Sequence, residues 1–251
     1  MTNWNDKKNM VVKRKITRDV VGLFPDCRGQ RLCLMTSLSF NELQEMVEQG
    51  KIDGMSFLCN VDNLSSIKVA NPLETKVEWF SREWKMKSGE IFRRHGVKAP
   101  KHRLVFRNML TLPLNILMED GGRFKVVYAD TCNTMTDGFM DWINCGATVD
   151  GVEDDGVLAF TVVLNHNSTS EIDLFEEQQP IDSSVFQFSA CKYDGIDGMM
   201  RYARKLSGIK VAIESRGWWK VERLIHYCEQ NRKSQMATVI CRKTKFSEKG
   251  S

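Results

Sequence analysis

The chain has 251 residues, 42% hydrophobic and 27% charged, with a formal net charge of +4. That length suits one domain with a sizeable core, and the composition excludes an intrinsically disordered chain. No apolar run approaches the roughly 18 residues that span a bilayer, and the opening MTNWNDKKNMVVKRK is too polar for a secretory signal, so a cytosolic or nuclear protein is expected.

In chain order, residues 1–26 read as a flexible basic arm carrying Lys7, Lys8, Lys13, Arg14, Lys15 and Arg18, closed by the turn signal FPDCRGQ. RLCLMTSL predicts a strand. Ser39 then opens SFNELQEMVEQG with Glu42 three residues on, a capping-box pattern, and Gly50 stops that helix. GMSFLCNVDNLSSIKVA, KVEWFSREWKM, HRLVFRNMLTLPLNILME, GRFKVVYA and GVLAFTVVLNH are β-branched and aromatic runs broken by Gly, Asn and Asp. They predict strands of an antiparallel sheet, with DGFMDWINCG a short helix or loop between them. LTLPLNIL, residues 110–117, reads as a buried strand with an edge proline; if exposed, Leu114 and Leu117 are partner contacts.

Towards the end, DGIDGMMRYARKLSG predicts an amphipathic helix stopped by Gly208, then IKVAI a strand, ESRG a turn and WWKVERLIHYC a second strand. Strict alternation places Trp219, Val221, Ile225 and Tyr227 on the core face. Trp218 faces the other way with Lys220, Glu222, Leu224 and His226, and is a candidate partner contact. The expected fold class is α+β: a single globular domain over residues 27–228, its antiparallel sheet packed by a few helices, with a basic extension over 229–251 that is either a further strand at MATVICR or a basic tail.

The eight cysteines contain no Cys-x-x-Cys pair, so no metal site is expected and the thiols read as scattered and reduced. The four histidines belong to no catalytic motif, and there is no phosphate-binding glycine loop, His-Glu-x-x-His or Gly-x-Ser-x-Gly. Neither catalytic residues nor a cofactor are expected. Charge is sorted along the chain. Residues 82–107 hold nine Lys and Arg against two Glu, residues 120–182 thirteen acids against Arg123 and Lys125, and residues 192–251 fourteen Lys and Arg against six acids. Such sorting suits head-to-tail self-association and leaves basic faces for phosphate-bearing partners.

The series MMRYARKLSG, IKVAI, ESRG and WWKVERLIHY, with Gly208, Trp219, Ile225, His226 and Tyr227 at nearly matching spacing, resembles the end of the matrix domain in rhabdoviruses. Size and basic clusters resemble the plant, nucleus-replicating branch. The resemblance implies a viral structural protein that self-associates, condenses the ribonucleoprotein through viral nucleoprotein–RNA contacts and tethers it beneath the envelope during assembly and budding. The implied partners are nucleoprotein–RNA, further copies of the chain, an anionic membrane surface met by Lys7, Lys8, Lys13, Arg14, Lys15 and Arg18, the envelope glycoprotein tail and host import factors. The five isolated prolines form no late-domain motif, which departs from animal members. Import signals are expected at Lys13, Arg14 and Lys15, and at Arg93, Arg94, Lys98, Lys101 and Arg103, with the protein in the virion, the host nucleus and its inner membrane, and the cytoplasm. The rival reading is a nucleic-acid-binding movement protein or silencing suppressor that uses the same basic runs.

Overall fold

A computed structural model describes residues 7–35, 40–62, 64, 69, 73–107, 114, 118, 122–164, 183–189, 195–228 and 235–244. In chain order the elements are α1 (Lys7–Gly22), β1 (Arg31–Leu34), α2 (Asn41–Glu48), β2 (Phe57–Asp62), α3 (Lys76–Arg94), β3 (Lys101–Phe106), β4 (Phe124–Thr134), α4 (Asp137–Asn144), α5 (Gly146–Gly151), β5 (Val152–Val163), β6 (Phe186–Ser189), α6 (Gly195–Glu214), β7 (Trp219–Cys228) and β8 (Gln235–Lys243). The strands form one eight-stranded sheet in the order β3-β2-β1-β4-β5-β8-β7-β6. All pairs from β3 to β5 are parallel, β8 runs antiparallel to both β5 and β7, and β6 is parallel to β7.

Two apolar layers cover the sheet. Ile16, Val20 and Val21 of α1, Leu43 and Met46 of α2, and Phe80 and Trp84 of α3 pack on one face with Leu32, Leu34, Val126 and Tyr128. Phe139 and Ile143 of α4, Val149 of α5, and Leu206, Ile209 and Ile213 of α6 pack on the other with Val127, Phe160, Trp219 and Val239. A parallel sheet buried on both faces explains why β1, β4 and β5 read as continuous apolar runs rather than alternating ones. The antiparallel α+β expectation is therefore corrected to a three-layer α/β architecture.

Several local expectations fall for identifiable reasons. The supposed flexible arm holds α1, whose Ile16 and Val20 are buried in the core. KVEWFSREWKM is not a strand but the start of α3, opened by a Thr75–Glu78 capping box that the β-branched and aromatic content obscured. IKVAI is not a strand either, because α6 continues through Gly208. Leu206, Ile209 and Ile213 recur at helical spacing and bury one stripe, and that burial overrides the glycine and the β-branched residues. In β7 a register shift between Val221 and Arg223 breaks the alternation. Trp219, Val221 and Leu224 therefore face the α6 layer, while Ile225 and Tyr227 face the α1 layer. Within 229–251, β8 is no extension but sits between β5 and β7.

Replacing Ile16 by Ala should cost about 2 to 5 kcal/mol of stability, because this α1 side chain is only 3% exposed. Val11→Ala on the same helix, at 71% exposed, should change it by less than about 0.5 kcal/mol. Urea unfolding of the two variants checks this, and equal, negligible shifts would mean the helix is not part of the core.

Candidate functional site

From β1 the chain moves outward through β2 to β3 at one edge, while β4 and β5 continue to the other side, so connections diverge between β1 and β4. At such a switch point the loops after adjacent strands part and leave a crevice at the carboxyl ends of the strands, where open α/β sheets bind ligands. Here the crevice is bounded by the end of β1 at Leu34, the start of α2, the end of β2 at Asp62 and Asp130 of β4. Met35 extends the junction by donating its N–H to the Tyr128 carbonyl at 2.9 Å.

Ser39, the cap expected from the sequence, lies outside the described residues. The N-cap of α2 is Phe40 in the left-handed region, φ 54° and ψ 18°, with no side-chain cap. Phe40 turns inward and its ring packs 5.1 Å from that of Trp84. That turn sets Asn41 and Glu42 facing inward, and Glu42 is fully buried, with no side chain among the described residues hydrogen-bonded to its carboxylate. Burial is the main cause that pushes its pKa up to about 7; nearby Asp130 and Asp62 add to the rise and Lys13 opposes it. Asp130 is itself paired with Lys13, Nζ to Oδ2 at 2.8 Å. Beneath them Tyr128 is buried, its hydroxyl held well above the usual range by burial, and is hydrogen-bonded to Thr161, which lies 3.2 Å from Thr238. The crevice thus gathers three carboxylates, from α2, β2 and β4, around one ammonium carried by α1.

Farther along the same edge, His226 near the end of β7 is buried against the Tyr202 ring at 4.9 Å. Burial lowers its pKa to about 4, against a hydrogen bond to the Gln235 side chain that favours the charged form, so it is neutral at physiological pH. A separate cleft of about 320 Å³, lined by Asp137, Met140, Asp141, Asn144, Cys145 and Arg216, belongs to the α4 layer across the sheet.

Of the residues singled out from sequence whose side chains are described, Lys13 enters the crevice. Arg14 bonds Glu45 at 3.4 Å and Glu48 at 3.1 Å, tying α1 to α2, while Lys15 and Arg18 are exposed and Lys7 and Lys8 lie in the first turn of α1. Arg93 and Arg94 end α3, Lys98 follows in the turn, and Lys101 and Arg103 are on β3. Leu114 is fully buried against the α4–α6 layer and so is no surface contact; Leu117 lies outside the described residues. Trp218 is half-buried against the same layer. From sequence Glu42 reads only as a helix cap and Asp62 and Asp130 carry no assignment, although a strand ending in an acid after a strand–helix pair is a usable signal.

No family model matches the chain, and no curated protein matches it. Among solved structures it is similar to the magnesium protoporphyrin IX methyltransferase of Synechocystis PCC 6803 with bound SAH, at TM-score 0.52 and 9% identity over 97% of this chain and 89% of that one. The N-methyltransferase NodS of Bradyrhizobium japonicum WM9 gives TM-score 0.47 and 8% identity over 96% and 99%. NSun6 of Pyrococcus horikoshii with SFG gives 0.44 and 13% over 92% of this chain and 52% of that one, so the chain spans about half the length of that protein. The likeness to the Synechocystis enzyme shows the fold alone, a Rossmann-like α/β fold. It overturns the rhabdovirus matrix resemblance, and the viral structural role and the expectation of a non-enzyme fall with it.

A carboxyl whose pKa is about 7 in the folded chain against 4.5 unfolded leaves the folded state holding the extra proton between those values. Its contribution to stability therefore falls as pH rises through that window. Glu42→Gln should be more stable than the parent at pH 8, by up to about 3 kcal/mol, with the difference vanishing below about pH 4.5. Urea midpoints measured at both ends of the range check the sign.

Proposed function

We propose that the protein is a methyltransferase that uses S-adenosylmethionine and binds it in the crevice between β1 and β4. The observation that carries this reading is the carboxylate group of Glu42, Asp62 and Asp130, in which Glu42 is fully buried and no side chain among the described residues donates to its oxygens. A buried acceptor without a donor is costly, and a ligand bearing cationic donors relieves that cost.

The same crevice argues against a dinucleotide. Phosphate-binding turns on such sheets use glycines so that the backbone can approach the pyrophosphate. The β1–α2 connection here, Met35 to Phe40, contains no glycine, and three acids would repel phosphate. S-adenosylmethionine carries a sulfonium, an ammonium, a carboxylate and no phosphate. Asp62, ending β2, is placed for ribose hydroxyls; Glu42 and Asp130 offer negative charge to the cationic groups; Lys13 supplies a cation for the carboxylate. When bound, the cofactor supplies an electrophilic methyl whose bond to sulfur breaks as one to an acceptor nitrogen or oxygen forms, the sulfur keeping the electron pair and the acceptor losing a proton. The chain's part is to hold that charge distribution in a water-poor crevice, where each interaction is less screened than at the surface.

Isothermal titration with S-adenosylhomocysteine, S-adenosylmethionine and NAD tests the reading. The parent protein should bind both S-adenosyl compounds and not NAD, and Asp62→Ala should weaken both by tenfold or more. Failure to bind either S-adenosyl compound, or preference for NAD, refutes it.

A further inference from the structure

Glu42 and its neighbour on the first turn of α2 are buried without the partners that burial demands. Glu45 of the same helix is buried too, but Arg14 and Gln49 donate to its carboxylate at 3.4 and 3.3 Å. Glu42 is fully buried, no side chain among the described residues donates to its oxygens, and its own backbone N–H offsets burial only in part. Asn41 is 6% exposed, and its amide nitrogen likewise has no partner among the described residues. Such groups are costly in a folded chain unless something else completes them.

The charges around Glu42 come from the elements packed on it. Lys13 of α1 is engaged by Asp130 of β4 at 2.8 Å, Asp62 ends β2, and Tyr128 of β4 stays neutral because burial holds its hydroxyl well above the usual range. On the side of α3, Lys87 sits over the Phe40 ring at 5.6 Å, and the connection over residues 36–39 has no charged side chain. Burial, Asp130 and Asp62 favour a proton on Glu42 and Lys13 opposes it, so that with a pKa of about 7 both forms exist near neutrality. A positive charge added to the crevice favours the ionised form. Closing the crevice around a neutral molecule only adds desolvation, which favours the protonated form.

We infer that Glu42 is the residue by which the crevice distinguishes S-adenosylmethionine from S-adenosylhomocysteine, giving up its proton to bind the first and keeping it to bind the second. The inference rests on the methyl-transfer reading and adds to it. The two compounds share an adenosine, an ammonium and a carboxylate and differ in the methyl on sulfur, hence in one positive charge, so shape alone separates them poorly. Beside a buried carboxylate that charge is weakly screened. By linkage, a ligand whose binding releases a proton binds more tightly as pH rises. Methyl transfer leaves a neutral thioether, the positive charge departing as the proton that the acceptor gives up. Glu42 then takes a proton back and no longer holds the product by charge.

Isothermal titration at pH 7 in phosphate and in imidazole buffer, whose ionisation enthalpies differ, counts the protons exchanged as each compound binds. Glu42→Gln cannot titrate, so subtracting its count removes protons exchanged by the compounds themselves. Relative to that variant, the parent should release about half a proton per site with S-adenosylmethionine, because a group of pKa about 7 is half protonated there, and none with S-adenosylhomocysteine. From pH 6 to pH 8 the parent's preference for S-adenosylmethionine should rise about fivefold or more relative to that of the variant. Glu42→Asp, which keeps the carboxyl, should restore part of the release. No difference between parent and Glu42→Gln, or the same difference for both compounds, would overturn the inference while their binding leaves the methyl-transfer reading standing. If neither compound binds, both fall.

Discussion

The ion pair between Lys13 and Asp130, 2.8 Å across the junction of α1 and β4, is the contact on which the rest of the site depends. Two carboxylates buried near each other would each favour protonation, and Glu42 already does. A single ammonium keeps the group ionised enough to be an acidic site rather than a pair of neutral acids. That ammonium arrives on a helix near the chain start, so its position is only as fixed as the packing of α1. Ile16, Val20 and Val21, all within the core, and the Arg14 contacts to α2 supply that packing. Core burial and site electrostatics are thus one problem, solved by the same sixteen-residue helix.

Much of the first half of the fold was legible, though its handedness of pairing was not noticed. RLCL as a strand and SFNELQEMVEQG as a helix correspond to β1 and α2, and GMSFLCNVD contains β2. A helix between two strands of one sheet demands a crossover, and crossovers join parallel strands; an antiparallel assignment would have needed a hairpin turn that the sequence lacks. The basic segment KVEWFSREWKM was misread because tryptophan, valine and phenylalanine favour strands, whereas Phe80, Trp84 and Ile91 at helical spacing decide the outcome by what they bury. Of the site, the acids were visible as residues but not as neighbours. Glu42 fitted a capping pattern, and only the inward turn at Phe40 removes it from that role.

The last third shows how a resemblance resting on element order fails. The run from Met199 to Tyr227 matched another family as helix, strand, turn and strand, yet α6 absorbs the first strand and runs unbroken to Glu214. Once one element changes type, the remaining correspondence of Trp219, Ile225, His226 and Tyr227 says only that aromatic strands pack in cores. Trp219 shows it plainly: its indole N–H donates to the Ile143 carbonyl at 3.0 Å, a link between β7 and α4 that an α/β layer arrangement requires.

The charge sorting along the sequence acquires a spatial meaning in this fold. The basic excess of residues 82–107 ends at the rim of the crevice, and the acids of the crevice come from three separate elements, so opposite charges sit side by side without cancelling. Their exposure differs, and that difference separates them physically. Arg93, Lys98, Lys101 and Arg107 face water and lie within reach of salt, whose screening length is about 8 Å at physiological ionic strength. Glu42 and Asp130 are buried, where screening is weak and a field acts at close range. Rising ionic strength therefore weakens the field of the exposed cations long before it weakens that of the buried acids.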